Sequence, residues 1–252
     1  MLATDLIQCI EFGRPYPGLR PFEAHECPLF HGREAHTEEL LSRLGYSRFL
    51  AVVGTPGSGK SSLVRAGLLP ALFRGFLVDT TSRWRVAVMR PGNAPLTNLA
   101  KALAQQEVFS KDYESVRETL GKSSLGLTHA VRQTQLAEGE SVLVVVDQFE
   151  ELFRFRRERR HDDGGAEGSL FVASLLEAAE SYPSLVYVVV TMRTDYLGDC
   201  ADFPGLAQAL NRSQYLIPKL RREERRAAIE RPLDLFGIEM TPRLVQRLSA
   251  RR

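Results

Sequence analysis

The stretch that most constrains this chain is Gly54-Thr55-Pro56-Gly57-Ser58-Gly59-Lys60-Ser61. An apolar run at 49–53 precedes it, and a helical pattern at 62–69 follows it. This order of strand, glycine loop and helix is typical of a P-loop, in which bare backbone curls round a phosphate at the helix N-terminus. We therefore predict that Lys60 reaches the β- and γ-phosphates of a nucleotide and that the Ser61 hydroxyl binds Mg²⁺. The phosphate site is expected to comprise Gly54, Thr55, Pro56, Gly57, Ser58, Gly59, Lys60, Ser61 and Ser62.

The composition limits what can surround this loop. The chain has 252 residues, of which 44% are hydrophobic, enough for one α/β domain with a smaller attachment. A formal net charge of +2 gives no case for a nucleic-acid partner, and no apolar run approaches the length that crosses a bilayer. The three cysteines, Cys9, Cys27 and Cys200, show no paired spacing and fit a reduced, cytoplasmic setting.

Apolar and β-branched runs predict five strands of a mainly parallel sheet, with helices between them. The strands are expected at 49–53, 84–89, 142–147, 185–191 and 215–217. The helices are expected at 34–44, 62–69, 95–106, 110–121, 124–137, 168–182, 222–229 and from 242 onward. Pro70 and Pro232 are expected to end their helices, and the arginine-rich stretch at 154–160 is expected to be a solvated loop.

Acidic residues follow the third predicted strand. Asp147 ends a buried run, which is costly unless its carboxylate meets a cation or hydrogen-bond donors. After a P-loop, this position predicts an Mg²⁺ ligand, although an Asp that caps a helix is the alternative. Either Glu150 or Glu151 could orient or deprotonate an attacking water, or both could be solvated acids at a helix start.

Thr191 and Arg193 lie at the end of the fourth predicted strand. Because ligands of open α/β sheets bind outside the carboxyl ends of the strands, we expect both residues near the P-loop. An arginine there can bind the γ-phosphate of a nucleotide. The alternative for Arg193 is an ion pair with Asp195 or Asp199.

Several segments together resemble the STAND class of P-loop NTPases, in particular the type-1 group of novel STAND NTPases. The matching segments are Tyr16–Phe22, Phe30–Glu34, the P-loop, Val146–Phe153, Thr191–Cys200 and Ala228–Pro232, so the likeness covers roughly residues 15–250. The resemblance implies an α/β P-loop NTPase sandwich with the start of a C-terminal helical lid. We accordingly expect a lead-in at 1–47, a core at 48–217 and the beginning of the lid at 218–252.

The resemblance also implies an ATP-driven signalling switch that uses ATP and Mg²⁺, hydrolyses ATP slowly and associates with itself or a partner protein. By the same resemblance, Gly32 and Arg33 lie on the adenine side, Arg193 senses the γ-phosphate and Pro232 touches the nucleotide from the lid. Gln148 stands where the family has a second acid, which leaves Glu150 and Glu151 as candidate bases. Arg231 stands where glycine is more usual. Further segments, an effector and a repeat array, are expected outside the chain.

Two other functions fit parts of the pattern. A non-catalytic nucleotide-binding interaction module would account for Gln148 and for a lid that is only begun. A motor-type ATPase acting on nucleic acid or protein is supported by the generic P-loop core and the arginine-rich stretch at 154–160.

Overall fold

The computed structural model describes residues 13–75, 83–105, 112–134, 136–158, 164–181 and 185–250. The chain forms two compact units. The sheet unit comprises Leu40–Lys60 and Gly75–Ile217, and the terminal unit comprises Met1–Glu39, Ser61–Arg74 and Pro218–Arg252. The partition at residues 47 and 217 drawn from the sequence stays a prediction. The start of the predicted lead-in and the last two arginines of the 154–160 stretch lie outside the described residues.

Five parallel strands form the sheet, which confirms the predicted α/β fold class. They are β1 (Phe49–Gly54), β2 (Arg83–Met89), β3 (Glu140–Val146), β4 (Val186–Arg193) and β5 (Gln214–Leu216). Their order in the sheet is β2-β3-β4-β1-β5. The P-loop strand β1 therefore lies beside β4 and not beside β3, and β4 separates it from the strand that leads to Asp147.

The helices have the following bounds. They are α1 (Glu34–Ser47), α2 (Lys60–Ser62, then a π-helical Leu63–Leu68, then Leu69–Phe73), α3 (Pro95–Gln105), α4 (Tyr113–Gly121), α5 (Gly126–Arg132), α6 (Glu151–Glu158), α7 (Gly164–Glu180), α8 (Leu206–Arg212), α9 (Arg222–Asp234) and α10 (Pro242–Ala250). Among the described residues, three short 3-10 helices cover Ala24–Leu29, Thr194–Tyr196 and Gly198–Asp202. No helix within the described ranges combines the length and hydropathy of a membrane span.

The core of the sheet unit explains why β3 and β4 are apolar over most of their length. Alternate strand residues, such as Val144 and Val190, join one buried cluster with α3 to α8. The residues between them, such as Val145 and Val189, point to the other face and are buried too. A strand buried on both faces needs the continuous β-branched run seen in β3 and β4.

The terminal unit is held by contacts among segments that are distant in sequence. Arg20 forms a bidentate pair with Glu26, with nitrogen to oxygen distances of 2.7 and 2.6 Å. Arg65 in α2 pairs with Glu23 at 2.7 Å. The Tyr16 hydroxyl donates to the carbonyl of Ile229 in α9. These bonds connect the proline-rich segment before Ala24 with α2 and α9.

Two helix ends predicted from prolines are wrong. α2 continues through Pro70 to Phe73, because the wider π-helical turn at Leu63–Leu68 comes directly before Pro70 and accommodates a residue that has no N–H to donate. α9 continues through Pro232 to Asp234. Pro232 is buried near the end of that helix, so packing within the terminal unit outweighs the loss of one backbone hydrogen bond.

The predicted loop at 154–160 is also wrong over its described part, because α6 runs to Glu158. Leu152 and Phe153 are buried and anchor the first turn of this helix. The arginines that follow meet acidic partners in the sheet unit: Arg156 lies 3.6 Å from Asp202, and Arg157 pairs with Asp199. The positive charges of these arginines, near the C-terminus of the helix, also interact favourably with the helix dipole.

Candidate functional site

The loop after β1 depends on its glycines. Gly57 and Gly59 have φ angles of +74° and +87°, which residues with a side chain adopt only under strain. A Cβ at Gly54 would lie 2.6 Å from the Ser58 hydroxyl oxygen, so a side chain there would force that hydroxyl to move. The Ser58 amide donates to the Thr55 carbonyl at 3.2 Å and closes the turn.

Lys60 is half-buried at the end of this loop. Its Nζ donates to the carbonyls of Gly54, at 3.0 Å, and Thr55, at 2.9 Å. Burial lowers the pKa of Lys60, and the nearby Arg193 acts in the same direction, while the carboxylates of Glu150, Asp147 and Asp195 oppose the shift. These interactions bring Lys60, Asp147, Glu150 and Arg193 into one electrostatic cluster within the sheet unit.

Asp147 follows β3 and is 1% exposed. The hydroxyl of Thr191 donates to its Oδ1 at 2.6 Å. The same hydroxyl oxygen accepts from the backbone N–H of Gln148 at 3.0 Å. A buried carboxylate is thus held by a donor from the neighbouring strand, and the predicted position of Asp147 at a strand end is confirmed by the end of β3 at Val146.

The structure distinguishes the two glutamates that the sequence left equivalent. Glu150 is 8% exposed, and its Oε2 has no hydrogen-bond partner among the described residues. Burial raises the pKa of Glu150, although Lys60 and Arg193 favour its charged form. Glu151, by contrast, accepts from the backbone N–H of Gly92 through Oε2 at 2.9 Å. Glu150 therefore belongs to the electrostatic cluster, and Glu151 fixes the turn after β2.

Arg193 is the last residue of β4 and pairs with Asp195 at 2.5 Å. The hydrogen bond to Asp195 raises the pKa of Arg193. Its guanidinium also lies over the ring of Tyr196, 5.7 Å from the centroid. The ion pair weighed from the sequence is therefore present, with Asp195 and not Asp199 as the partner, while Asp199 pairs with Arg157.

The remaining predicted site residues lie in the terminal unit. Gly32 has a φ of +79°, and a Cβ there would lie 2.1 Å from the carbonyl oxygen of Glu224 in α9. Arg33 donates to the carbonyl of Pro218 at 2.9 Å. Pro232 is buried within α9. The motif at Gly32-Arg33 thus packs directly against the segment that the sequence assigned to the lid.

Ser61 and Ser62 occupy the first turn of α2, directly after Lys60 in the chain. The Ser62 hydroxyl accepts from the backbone N–H of Phe22 at 3.1 Å. This bond ties the proline-rich segment to α2 within the terminal unit. The assignment of Ser61 to Mg²⁺ and of Ser62 to the phosphate site stays a prediction.

Comparison with known proteins identifies the family. The sequence model of the Novel STAND NTPase 1 family matches residues 15–251. The chain belongs to the Novel STAND NTPase 1 family. This finding confirms the resemblance seen in the sequence and makes the cluster around Lys60 part of a nucleotide-binding NTPase.

Solved structures share the fold of this NTPase. The Aeropyrum pernix ORC2 protein in its ADP form matches with a TM-score of 0.58 and 14% identity, over 93% of this chain and 60% of that chain. The Escherichia coli MS115-1 HORMA:CdnC:Trip13 complex matches with a TM-score of 0.53 and 14% identity, over 92% and 77%. Identity this low shows the fold alone, and the NTPase chain spans about 60% of the ORC2 protein. No curated protein has a significant match to the chain.

The donors of the NTPase fit a hard divalent cation. Asp147 offers carboxylate oxygen, and oxygen ligands supplemented by phosphate and water are what Mg²⁺ prefers. Within the described ranges, no group of three or more His, Cys, Asp or Glu side chains forms a metal site of its own. This donor set is consistent with a cation that has few protein ligands and is otherwise bound by nucleotide phosphates.

Sequence reasoning placed Thr191 near the loop of the NTPase but missed its bond to Asp147. The strand pattern contains the signal, because Val146 of β3 pairs with Val190 of β4. The next residue of each strand, Asp147 and Thr191, then shares a face of the sheet. The bond between Glu151 and Gly92 carried no such signal, since it depends on the turn after β2.

Proposed function

We propose that this NTPase is a molecular switch that binds ATP with Mg²⁺, hydrolyses it slowly and thereby controls conformation and assembly. The observation that carries the proposal is the electrostatic cluster of Lys60, Asp147, Glu150 and Arg193 at the carboxyl ends of three neighbouring strands. Ligands of open α/β sheets bind at that edge. The similarity in fold to an ORC2 protein described in an ADP form supports an adenine nucleotide.

Each member of the cluster has a role in the proposal. Lys60 contacts the β- and γ-phosphates, and Asp147 with Ser61 holds Mg²⁺, which when bound neutralises charge on the phosphates. Glu150 orients or deprotonates the attacking water, since its raised pKa makes it a better base than a solvated carboxylate. Arg193 contacts the γ-phosphate. Gly32, Arg33 and Pro232 contribute the adenine and lid contacts, and Glu151 supports the site through Gly92.

The switch depends on a difference between ATP and ADP. A ligand shifts a conformational equilibrium only by its differential affinity for the two states. Arg193 can supply that difference, because a guanidinium forms charge-assisted hydrogen bonds to γ-phosphate oxygens that ADP lacks. The protein would then associate with itself or with a partner protein in the ATP-bound state.

The test measures the affinities for ATP and for ADP by calorimetry, in the presence of Mg²⁺, in variants that lack Lys60 or Arg193. Lys60→Ala should weaken both nucleotides at least tenfold, because it removes a charge that faces both phosphates. Arg193→Ala should weaken ATP at least tenfold and ADP less than threefold. Lys122→Ala, which removes an exposed lysine paired with Glu118, is the control and should leave both affinities unchanged.

Asp195→Ala separates a nucleotide sensor from a structural ion pair. This variant breaks the pair with Arg193 but keeps the guanidinium, so ATP affinity should be retained or increased. Equal weakening of ATP and ADP in Arg193→Ala, with the same drop in melting temperature as in Asp195→Ala, would contradict the sensor role. Unchanged ATP affinity in Lys60→Ala would rule out the whole site.

A non-catalytic nucleotide-binding module is the second candidate. It is favoured by Gln148, which occupies the position after Asp147 with its backbone amide bonded to Thr191 and which carries no acid. The two functions differ in turnover. A parent protein that binds Mg-ATP but releases no phosphate, alone or assembled, would establish the module.

A further inference from the structure

Thr191 lies on β4, between the strand that leads to the P-loop and the strand that leads to Asp147. β4 is the strand between β1, which leads to the P-loop, and β3, which leads to Asp147. Thr191 pairs with Val52 of β1 on one side. On the other side it follows Val190, the last residue of β4 that pairs with β3. It is 1% exposed, so it lies inside the sheet unit and not on its surface.

The hydrogen-bond donors and acceptors fix the orientation of the Thr191 hydroxyl. The backbone N–H of Gln148 can only donate, so the hydroxyl oxygen accepts from it, at 3.0 Å. The single hydroxyl proton is therefore directed to Oδ1 of Asp147, at 2.6 Å. A short bond between a hydroxyl and a carboxylate is charge-assisted and about twice as strong as a neutral one.

The backbone after Asp147 adopts an unusual conformation and forms further hydrogen bonds with Thr191. Gln148 has a φ of +59°, in the left-handed region that residues other than glycine adopt at a cost. The carbonyl of Thr191 accepts from the N–H of Phe149 at 2.9 Å. One residue thus binds three consecutive residues of the turn, and the side chain contributes two of the three bonds. These bonds compensate for the unfavourable conformation at Gln148.

We infer that Thr191 is a positioning residue that sets the direction of the Asp147 carboxylate for Mg²⁺. The inference rests on the proposed function, because it assigns a task to Thr191 within that site. With Oδ1 held by the hydroxyl, the carboxylate plane cannot rotate freely, so the geometry that a small octahedral cation demands is set before the cation binds. Without the hydroxyl, Oδ1 of Asp147 would lose this donor, and more of the ordering of the carboxylate would accompany Mg²⁺ binding.

The test uses two variants that differ in the hydroxyl. Thr191→Val keeps the branched shape and removes the hydroxyl, while Thr191→Ser keeps the hydroxyl and removes a methyl group. The readout is the Mg²⁺ concentration that half-saturates binding of a fluorescent ATP analogue, together with the affinity for that analogue in EDTA. We expect Thr191→Val to raise the Mg²⁺ requirement about tenfold and Thr191→Ser less than threefold. The affinity in EDTA should change less than twofold in both variants.

The outcomes separate the inference from the proposed function. A parent protein that does not bind the analogue with Mg²⁺ would refute the proposed function itself. Equal Mg²⁺ requirements in Thr191→Val and the parent, or an equal rise in Thr191→Val and Thr191→Ser, would overturn the positioning role and leave Thr191 as a packing residue. If Thr191→Val does not fold, Thr191→Cys replaces it, because a thiol fills a similar volume but is a weak donor. The same tenfold criterion then applies to Thr191→Cys.

Discussion

Glu150 and Glu151 are adjacent in the chain, yet their surroundings give them different chemistry. Glu150 has one carboxylate oxygen that lacks a hydrogen-bond partner among the described residues, in a buried position beside two cations. Glu151 holds the backbone of Gly92. An attacking water can hydrogen-bond to the first carboxylate without displacing a protein contact, whereas the second is already engaged.

We predict that Glu150→Gln lowers phosphate release at least a hundredfold and leaves ATP affinity within threefold, because it removes a base and no phosphate contact. Glu151→Gln should retain at least a third of the turnover, since an amide oxygen can still accept from Gly92. Phosphate release at saturating Mg-ATP measures both. Similar turnover in the two variants would show that neither glutamate is the base.

For single residues, the sequence predicts which side chains belong to the site better than it predicts which residues they bond to. Lys60, Asp147 and Arg193 follow from the order of strand and loop, because the strand ends bring them to one edge of the sheet. The choice between Glu150 and Glu151 does not follow, because it depends on the turn after β2, where Gly92 has no periodic signal. The pairing of Arg193 with Asp195 in place of Asp199 depends likewise on the bound position of Arg157.

At the scale of elements, the turn at Gly32 and helix α9 lie so close together within the terminal unit that only a glycine fits at position 32. A Cβ at Gly32 would lie 2.1 Å from the Glu224 carbonyl oxygen, and Glu224 also accepts from the Arg221 amide at the start of α9, at 2.6 Å. The turn and the first part of the helix therefore have to move apart if position 32 carries a side chain.

We predict that Gly32→Ala lowers the free energy of unfolding by about 3 kcal/mol, from the clash together with the positive φ. Gly18→Ala is the matched control, because Gly18 has a φ of +80° but no atom of the described residues within 4 Å of the place that a Cβ would take. It should cost about 1 kcal/mol from backbone strain alone. Urea unfolding of both variants checks the difference, and equal losses would mean that the approach to Glu224 relaxes without cost.

The helices and strands were mostly predictable, and the exceptions have physical causes. Apolar runs locate all five strands, and those of β1, β3 and β4 are continuous because these strands are buried on both faces. The predicted ends at Pro70 and Pro232 were wrong, since a helix continues through a proline where a wider turn or buried packing compensates for the lost N–H bond. The wide turn before Pro70 and the burial of Pro232 are tertiary features that a proline rule does not contain.

At the scale of the whole molecule, the buried carboxylate of Glu26 makes the stability of the terminal unit sensitive to acid. Glu26 is 5% exposed and bound by Arg20 and by the backbone N–H of Glu23. The hydrogen bond from Arg20 lowers the pKa of Glu26 from 4.5 to about 2. Because the folded-state pKa lies below the unfolded one, Glu26 stabilises the fold above pH 4.5, and this stabilisation is lost as the pH falls toward 2.

We predict that Glu26→Gln destabilises the protein on the order of 2 kcal/mol at pH 7, after allowance for the half-exposed Arg20. The difference from the parent should shrink steadily as the pH falls from 4.5 to 2. Thermal melts across this range measure it, with Glu118→Gln, an exposed carboxylate, as the control. A difference that stays constant with pH would assign the effect to packing and not to ionisation.

The π-helical segment of α2 has a consequence for how chains of this family can differ in length. Such a segment holds one residue more per turn than an α-helix, so Leu63–Leu68 stores a surplus residue between Lys60 and Phe73. Because the wider turn absorbs this residue, deleting it would restore a regular helix and leave the residues after it on the same face. A relative without the surplus residue would therefore show a single-residue gap here and, beyond it, the same face of the helix with the same motifs in register.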